Sequence, residues 1–195
     1  MKHTILLAGL SLAAVLPVRG QVSGNCGQPL EAPMSPGSHL VLELRPGNVE
    51  VAGTNSSVVR VICDKNNYGA SRAVGISLAA GHLRVFGGPD HLKHFNYRIE
   101  IPARTDVVIR CTAGDLNVSG LEGDKDITLN AGNLTVLVGK PESYRTVETS
   151  MLAGNLRAPA FGVTKEGLFH DFHKENRNGQ YHLKAKVLAG DLTLK

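Results

Sequence analysis

The chain has 195 residues, and its 21 Lys and Arg against 17 Asp and Glu give a formal net charge of +4. Such a small excess, with no basic cluster, excludes the electrostatic footprint of a nucleic-acid-binding protein. With 22 Gly, no Trp and few aromatics, the composition favours many short strands and tight turns over a helical bundle or a disordered chain.

The first 20 residues have the organisation of a secretory signal peptide. An apolar run from Ile5 to Leu16 follows Lys2 and His3, and Pro17 ends it. The run is shorter than the roughly 20 apolar residues that cross a bilayer, and no later stretch predicts a transmembrane segment. We therefore expect export to the periplasm, the cell surface or the medium, with a mature chain from Gln21. Residues 21–37, rich in Gly, Pro and Ser, are predicted to form a flexible leader.

Short runs of alternating apolar and polar residues fill the next part of the chain. This alternation predicts strands with one buried face. The candidate strands are His39–Leu44, Asn48–Ala52, Val58–Cys63, Val74–Leu78, Leu83–Phe86 and Tyr97–Ile101. Together with the repeats that follow, they predict one β-domain over residues 38–195.

An internal repeat is the main signal of the C-terminal half. Ala113-Gly-Asp-Leu-Asn-Val118 recurs as Ala131-Gly-Asn-Leu-Thr-Val136, Ala153-Gly-Asn-Leu-Arg-Ala158 and Ala189-Gly-Asp-Leu-Thr-Leu194, with Pro46-Gly-Asn-Val-Glu-Val51 as an upstream relative. Each copy predicts a glycine turn, an Asp or Asn that fixes the corner, and a strand with one apolar face. The predicted structural corners are Gly47, Gly114, Asp115, Gly132, Asn133, Gly154, Asn155, Gly190 and Asp191.

Stacked units of this kind bury a continuous column of Leu and Val. The repeat therefore predicts an all-β, single-domain parallel β-solenoid, similar to a β-helix, with an antiparallel β-sandwich as the alternative. The corner residues Asp115 and Asp191, with Asn48, Asn133 and Asn155, could form a row along one edge. Because Asn replaces Asp in several copies, we expect corner-capping and not a continuous acidic row.

Three cysteines remain after export, namely Cys26, Cys63 and Cys111. An oxidising compartment favours one disulfide and one free thiol. A Cys63–Cys111 bond is possible because both residues lie in strand-like runs, but the sequence does not decide the pairing. Buried thiols that pack as small hydrophobic groups are the other interpretation.

The polar stretch Phe161–Gln180 interrupts the repeat and is predicted to be a loop that bulges from the column. It contains His170, Asp171 and His173, whose side chains are candidate ligands of a transition metal. Residues 170 and 173 share a face only on a helical turn, so a solvated polar loop is the alternative. We find no assembled catalytic set and expect no cofactor.

The pattern of strands and corners resembles the bacterial putative-adhesin domain family. The resemblance rests on Gly47-Asn-Val-Glu-Val-Ala-Gly53, Asn96-Tyr-Arg-Ile-Glu-Ile-Pro102, Leu116-Asn-Val-Ser-Gly-Leu-Glu-Gly123 and the repeated corners. It covers about residues 38–195 and implies an exported or envelope-associated β-solenoid. It implies no catalytic residues, and a function taken from a fold is an analogy.

These observations favour an exported, non-catalytic binding or scaffold module at the cell envelope, with an envelope glycan or protein as its partner. A polysaccharide-active enzyme of the β-helix kind is the first alternative. It would need Asp, Lys or Arg residues that converge in a cleft, for which the 161–180 segment is a candidate roof. A periplasmic metal-binding protein is the second. The chain ends inside the strand Leu192-Thr-Leu-Lys195, which predicts a last rung open to end-to-end self-association.

Overall fold

The computed structural model describes residues 21–64, 74–87 and 95–195, and this part of the chain is almost entirely β, as predicted. The strands are β1 Val22–Asn25, β2 Leu30–Pro33, β3 Ser38–Leu44, β4 Gly47–Thr54, β5 Val58–Cys63, β6 Val74–Ala79, β7 His82–Gly87, β8 Asn96–Pro102, β9 Thr105–Ser119, β10 Lys125–Val136, β11 Tyr144–Ala158, β12 Val163–Glu175 and β13 Tyr181–Leu194. Within these described ranges, no helix is long and apolar enough to cross a membrane. The predicted signal peptide lies outside the described residues.

Four long strands, β9, β10, β13 and β11, carry the repeat. They pair in parallel so that matching repeat positions are neighbours, as Ala131 is with Ala113 and Ala189. β3 and β4 together form a fifth unit, because β3 pairs with the first half of β9 and β4 with its second half. We call each of the five units a rung, with a first arm before the repeat glycine and a second arm after it.

The rungs do not stack in chain order. The spatial order is β3/β4, β9, β10, β13 and β11, so the C-terminal strand β13 lies between β10 and β11. A solenoid instead adds each new unit at the end of the stack, whereas this chain forms a mixed, open sheet. The expectation of a free last rung is wrong, because Leu192 and Thr193 have paired neighbours on both sides.

Further strands flank the rungs at both ends. β7 pairs in parallel with β3, the first arm of the first rung, and β6 and then β1 follow it in antiparallel pairs. β8 pairs in parallel with β4, the second arm, and β5 and then β2 follow it in antiparallel pairs. At the other end β12 pairs antiparallel with β11. The segment predicted to be a bulging loop therefore contains a 13-residue edge strand. Antiparallel pairing, the basis of the alternative sandwich prediction, is confined to these flanks.

Residues 21–37 are tied into the fold and do not form the flexible leader that the sequence predicted. β1 pairs with β6 and β2 pairs with β5. The structure also joins Cys26 to Cys63, with 5.3 Å between their Cα atoms. Small and polar residues suggested mobility here, but pairing to two strands and a covalent bond overcome that local tendency.

The possible Cys63–Cys111 disulfide is wrong, because the two residues lie on different arms of the fold. Cys63 ends β5 opposite Tyr97 of β8, in the layer of second arms. Cys111 lies on the first arm of β9, in register with Leu44 and Leu129. It is a buried free thiol, and its burial raises the pKa of the Cys111 thiol.

The core consists of columns of like side chains at equivalent rung positions. Val49, Leu116, Leu134, Leu192 and Leu156 are neighbours from rung to rung after the corner, and all five are buried. Burying a Leu or Val side chain stabilises a protein by about 1.5–3 kcal/mol relative to exposing it. The columns therefore explain why the rungs hold register across the sheet.

The corner glycines form a column in which backbone contacts backbone. Gly132 has a φ of +122°, a conformation that residues with a side chain rarely adopt. A Cβ at Gly132 would overlap the carbonyl oxygen of Gly114 on the preceding rung, and one at Gly190 would overlap that of Gly132. Glycine is therefore required here both by conformation and by close approach.

Replacing Gly132 by Ala tests this requirement. We expect Gly132→Ala to lower the free energy of unfolding by about 3 kcal/mol or more, because backbone strain and steric overlap add together. Gly139→Ala is the matched control, because Gly139 also has a positive φ, of +68°, but no atom lies within 4 Å of its added Cβ. The control should lose only about 1–2 kcal/mol in urea unfolding. Equal losses in the two variants would contradict close packing at the corner.

Candidate functional site

The residue after each corner glycine forms a row on the outward face of the second arms. We call this the Asn/Asp row; it contains Asn48, Asp115, Asn133, Asp191 and Asn155. The Asn133 side-chain amide donates to the Asp115 carboxylate at 2.9 Å, and the Asn155 amide donates to Asp191 at 2.8 Å. The row links neighbouring rungs through side chains as well as through the backbone.

Asn and Asp alternate along the row because of the strand order. Along the chain, Asn133 and Asn155 belong to successive repeats, which would place two amides together. In the sheet β13 lies between them and brings in Asp191. Neighbouring strands are about 4.8 Å apart, so a carboxylate between two amides finds donors and no like charge. The side chains of the row therefore link neighbouring rungs, and the corner-capping role stays a prediction.

A second outward row lies two residues further along each rung. We call it the Thr row; at its centre, Asn117, Thr135 and Thr193 are neighbours on β9, β10 and β13, and Glu50 and Arg157 stand at its ends. Its central side chains are short and uncharged, and Thr135 and Thr193 are half-buried. The two rows together define what we call the polar face.

The polar face continues onto β8 and β5 through residues that the sequence analysis did not single out as a site. The Asn48 amide donates to the Asn96 side-chain oxygen at 2.8 Å, and the Asn96 amide donates to Asp64 at 3.4 Å. Arg98 donates to Glu50 at 2.7 Å and to Glu100 at 3.0 Å. A signal did exist, because Asn96-Tyr-Arg-Ile has the same alternation as Asn48-Val-Glu-Val.

A shallow groove of about 330 Å³ lies at this end of the polar face. Asn48, Glu50, Asn96, Arg98 and Asn117 contribute polar groups to its lining. The ion pairs of Arg98 hold its charge in place beside the amide groups. The groove thus combines fixed donors and acceptors with apolar groups of Val49, Ile62 and Tyr97.

The outward face of the first arms is different, because opposite charges alternate across it. Arg84 pairs with Glu43 at 2.7 Å, and Arg110 makes two hydrogen bonds of 3.1 Å with the carboxylate of Asp126. Further along, Lys184 lies in register between Asp126 and Glu148. Exposed ion pairs of this kind contribute about 0–1 kcal/mol each. These charges neutralise each other within the protein.

The predicted metal ligands His170, Asp171 and His173 do not converge. They lie on β12, where His170 is opposite the buried Met151 and His173 is opposite the exposed Glu148. An extended strand directs residues three apart to opposite faces, which is why the structure separates the two histidines. His173 instead contacts Glu175 at 3.1 Å. Among the described residues, no group of three or more His, Cys, Asp or Glu side chains could hold a metal.

A buried lysine, which the sequence analysis missed, lies at the start of β10. Lys125 is only 2 % exposed, its Nζ donates to the Gly123 carbonyl at 2.8 Å, and it lies 4.9 Å from the centre of the Tyr144 ring. Burial lowers the pKa of Lys125 to about 8, although Asp124, Asp106 and Glu122 act in the opposite direction. Burial also raises the pKa of Tyr144 to about 12. This enclosed position indicates a structural role.

No protein-family profile and no curated protein matches the chain. A solved structure shares its fold. A crystal structure described as a putative cell adhesion protein from Clostridium sporogenes aligns with a TM-score of 0.50 at 13 % identity, and covers 86 % of this chain and 98 % of that one. At this identity the likeness concerns the fold alone.

Two further structures are more distant. One described as a putative adhesin from Bacteroides fragilis has a TM-score of 0.32 at 9 % identity, with 92 % of this chain and 99 % of that one covered. Another putative adhesin, from Parabacteroides merdae, has a TM-score of 0.25 at 11 % identity, with 56 % and 57 % covered.

The alternation of the Asn/Asp row can be tested by Asn133→Asp, which would place three carboxylates on adjacent rungs. We expect the free energy of unfolding to fall by about 2 kcal/mol at neutral pH and low salt, because a hydrogen bond is lost and like charges meet. The loss should shrink in acid, where carboxylates are protonated, and at high salt. Thr135→Asp on the same strand is the control, since its lateral neighbours are uncharged. A loss independent of pH and salt would contradict this account.

The buried lysine predicts a pH-dependent stability. Because the folded pKa of Lys125, about 8, lies below its ordinary value of 10.5, the unfolded chain binds the proton more tightly. Stability should therefore rise between about pH 8 and about pH 10, by at most about 3 kcal/mol. Cys111 and Tyr144, whose pKa values are both raised, act in the opposite direction, from about pH 9 and about pH 10 upward. They therefore reduce the net rise.

Lys125→Met should abolish this rise. Lys186→Met, which replaces an exposed lysine in the same way, should retain it. Urea unfolding at several pH values between these limits measures both variants. A rise of unchanged size in Lys125→Met would show that another group causes it.

Proposed function

We propose that this protein is an exported, non-catalytic, adhesin-like module that binds an extended polar ligand, an envelope glycan or protein, along its polar face. The observation that supports this most directly is the regular spacing of the Asn/Asp row and the Thr row. Their side chains repeat at the strand separation of about 4.8 Å, across β4, β9, β10, β13 and β11. A ligand that itself repeats along its length can make the same contact on successive strands.

The chemistry of the polar face favours a hydroxyl-rich ligand within this proposal. The centre of the face carries amides, hydroxyls and the carboxylates of Asp115 and Asp191, which accept hydrogen bonds from Asn133 and Asn155. The charges of Arg98 and Glu50 are paired with each other at its end. Amides and hydroxyls both donate and accept hydrogen bonds, as sugar hydroxyls do. The opposite outward face, with its alternating ion pairs, has less capacity left for such a ligand.

The Cys26–Cys63 disulfide supports the exported location. Structural disulfides form and persist in oxidising compartments such as the periplasm or the cell exterior. This bond ties β1–β2 to β5, in agreement with the signal peptide that the first 20 residues predict. The likeness to the Clostridium sporogenes cell adhesion protein supports membership of an adhesin-like family as part of the same proposal.

The two rival functions receive no comparable support. The polysaccharide-active alternative needed Asp, Lys or Arg residues that converge in a cleft, with the 161–180 segment as a candidate roof. Most of that segment instead forms the edge strand β12 beside β11. The metal-binding alternative needed His170 and His173 on one face, and they lie on opposite faces of β12.

The experiment exposes the purified protein to a panel of envelope and plant polysaccharides and scores both retention and release of new chain ends. We expect retention without new ends. Thr135→Ala combined with Thr193→Ala removes two hydroxyls from the polar face, and should weaken retention about 10- to 100-fold, as the loss of about 1–3 kcal/mol requires.

Thr112→Ala combined with Thr128→Ala is the matched control, because it removes two hydroxyls from the first arms of β9 and β10. Retention should survive in this control. Release of new chain ends would contradict the non-catalytic assignment, and retention that both double variants keep would exclude the polar face as the binding surface. If no polymer retains the protein, a glycan is excluded as the ligand, and binding of a protein partner or a scaffold role remains.

A further inference from the structure

The sheet has two branches beyond the first rung, β7-β6-β1 beside the first arm and β8-β5-β2 beside the second arm, and we call them the two layers. A cleft of about 650 Å³ opens between residues of these layers, near β1 and β2. One wall contains Val22 of β1 and Leu78 of β6, which are directly paired across the strands. Ala32 of β2, Met34, just after it, and Leu40 of β3 complete the apolar part of the lining. The cleft is therefore a slot between sheet layers, placed where the antiparallel flanks begin and the rungs end.

The lining of this cleft changes from polar at the rim to apolar at depth. Leu40 and Ala32 are buried, at 1 % and 5 % exposure, and belong to the wall and floor. Val22, Met34 and Leu78 are half-buried and pack against the core. Gln21, Ser35 and His39 are exposed at the rim. Among the described residues of the lining there is no Asp, Glu, Lys or Arg.

We propose that this cleft binds a long acyl chain, with the tail between the layers and the polar head group at the rim. Its volume lies within the range of about 300–1,000 Å³ that is typical of ligand pockets, which combine apolar walls with a few polar groups. The walls are aliphatic, without a Phe, Tyr or Trp among the described lining residues. A flexible aliphatic ligand suits such a slot better than a rigid aromatic one, and Met34 can adapt to its shape.

This site is independent of the polar face. The polar face lies on the outward side of the second arms, whereas the cleft opens between the layers beside β1 and β2. Binding of an acyl chain adds an activity that the proposed ligand of the polar face does not require. A protein with both sites could hold a polar polymer while it carries or contacts a lipid.

Palmitate is the probe, and the purified protein is first stripped of bound lipid and then dialysed to equilibrium against radiolabelled palmitate. We expect saturable binding of one palmitate per chain. Met34→Glu, which places a charge in the slot, and Met34→Trp, which fills it without a charge, should each weaken binding at least about tenfold. Leu137→Glu is the control, because Leu137 is apolar, 47 % exposed and absent from the cleft lining.

Circular dichroism and urea unfolding establish that each variant is folded. Flotation with phosphatidylcholine vesicles distinguishes a free fatty acid from the acyl chain of a membrane lipid: co-flotation that the Met34 variants lose indicates the membrane lipid, and palmitate binding without co-flotation indicates the free acid. Both outcomes support the cleft as an acyl-chain site. The proposal is overturned if palmitate does not bind saturably, or if folded Met34→Glu and Met34→Trp bind it as well as Leu137→Glu does.

Discussion

The close contact between corner glycines is the constraint on which the rest of the structure depends. Each glycine packs against the backbone of the glycine on the next rung, and no side chain fits between them. This contact sets the register at one point of every rung. Once the corners are aligned, the Leu and Val columns align inside and the polar rows align outside, because every strand alternates its side chains from the same starting point.

The position of β13 between β10 and β11 affects both the pairing of the strands and the order of charges along the Asn/Asp row. It gives the C-terminal strand two neighbours, which leaves β12 and the short strands β1 and β2 at the edges of the sheet. It also places Asp191 beside Asn155, so that amides and carboxylates alternate along the corner row. A chain stacked in sequence order would put Asn133 next to Asn155 and leave Asp191 at an end.

The two outward faces and the space between the layers offer three different kinds of surface. The first arms carry charges that pair with one another, as Arg110 does with Asp126. The second arms carry amides, hydroxyls and carboxylates that are hydrogen-bonded to one another, with ion pairs at one end. Between the layers, beside β1 and β2, the cleft is apolar.

The sequence by itself determined the all-β class, the strands with one buried face, the corner glycines and the identity of the Asn/Asp row, because these depend on local alternation and on conformations that only glycine adopts freely. It could not determine the order of the rungs, since similar repeats are equally able to pair with one another. It also misjudged residues 21–37 and 161–180, whose polar composition predicts loops, because pairing to a neighbouring strand compensates for weak local preference. The Cys26–Cys63 bond, the burial of Lys125, the continuation of the polar face through Asn96 and the cleft beside β1 all depend on contacts between distant residues, and only the tertiary structure decides those.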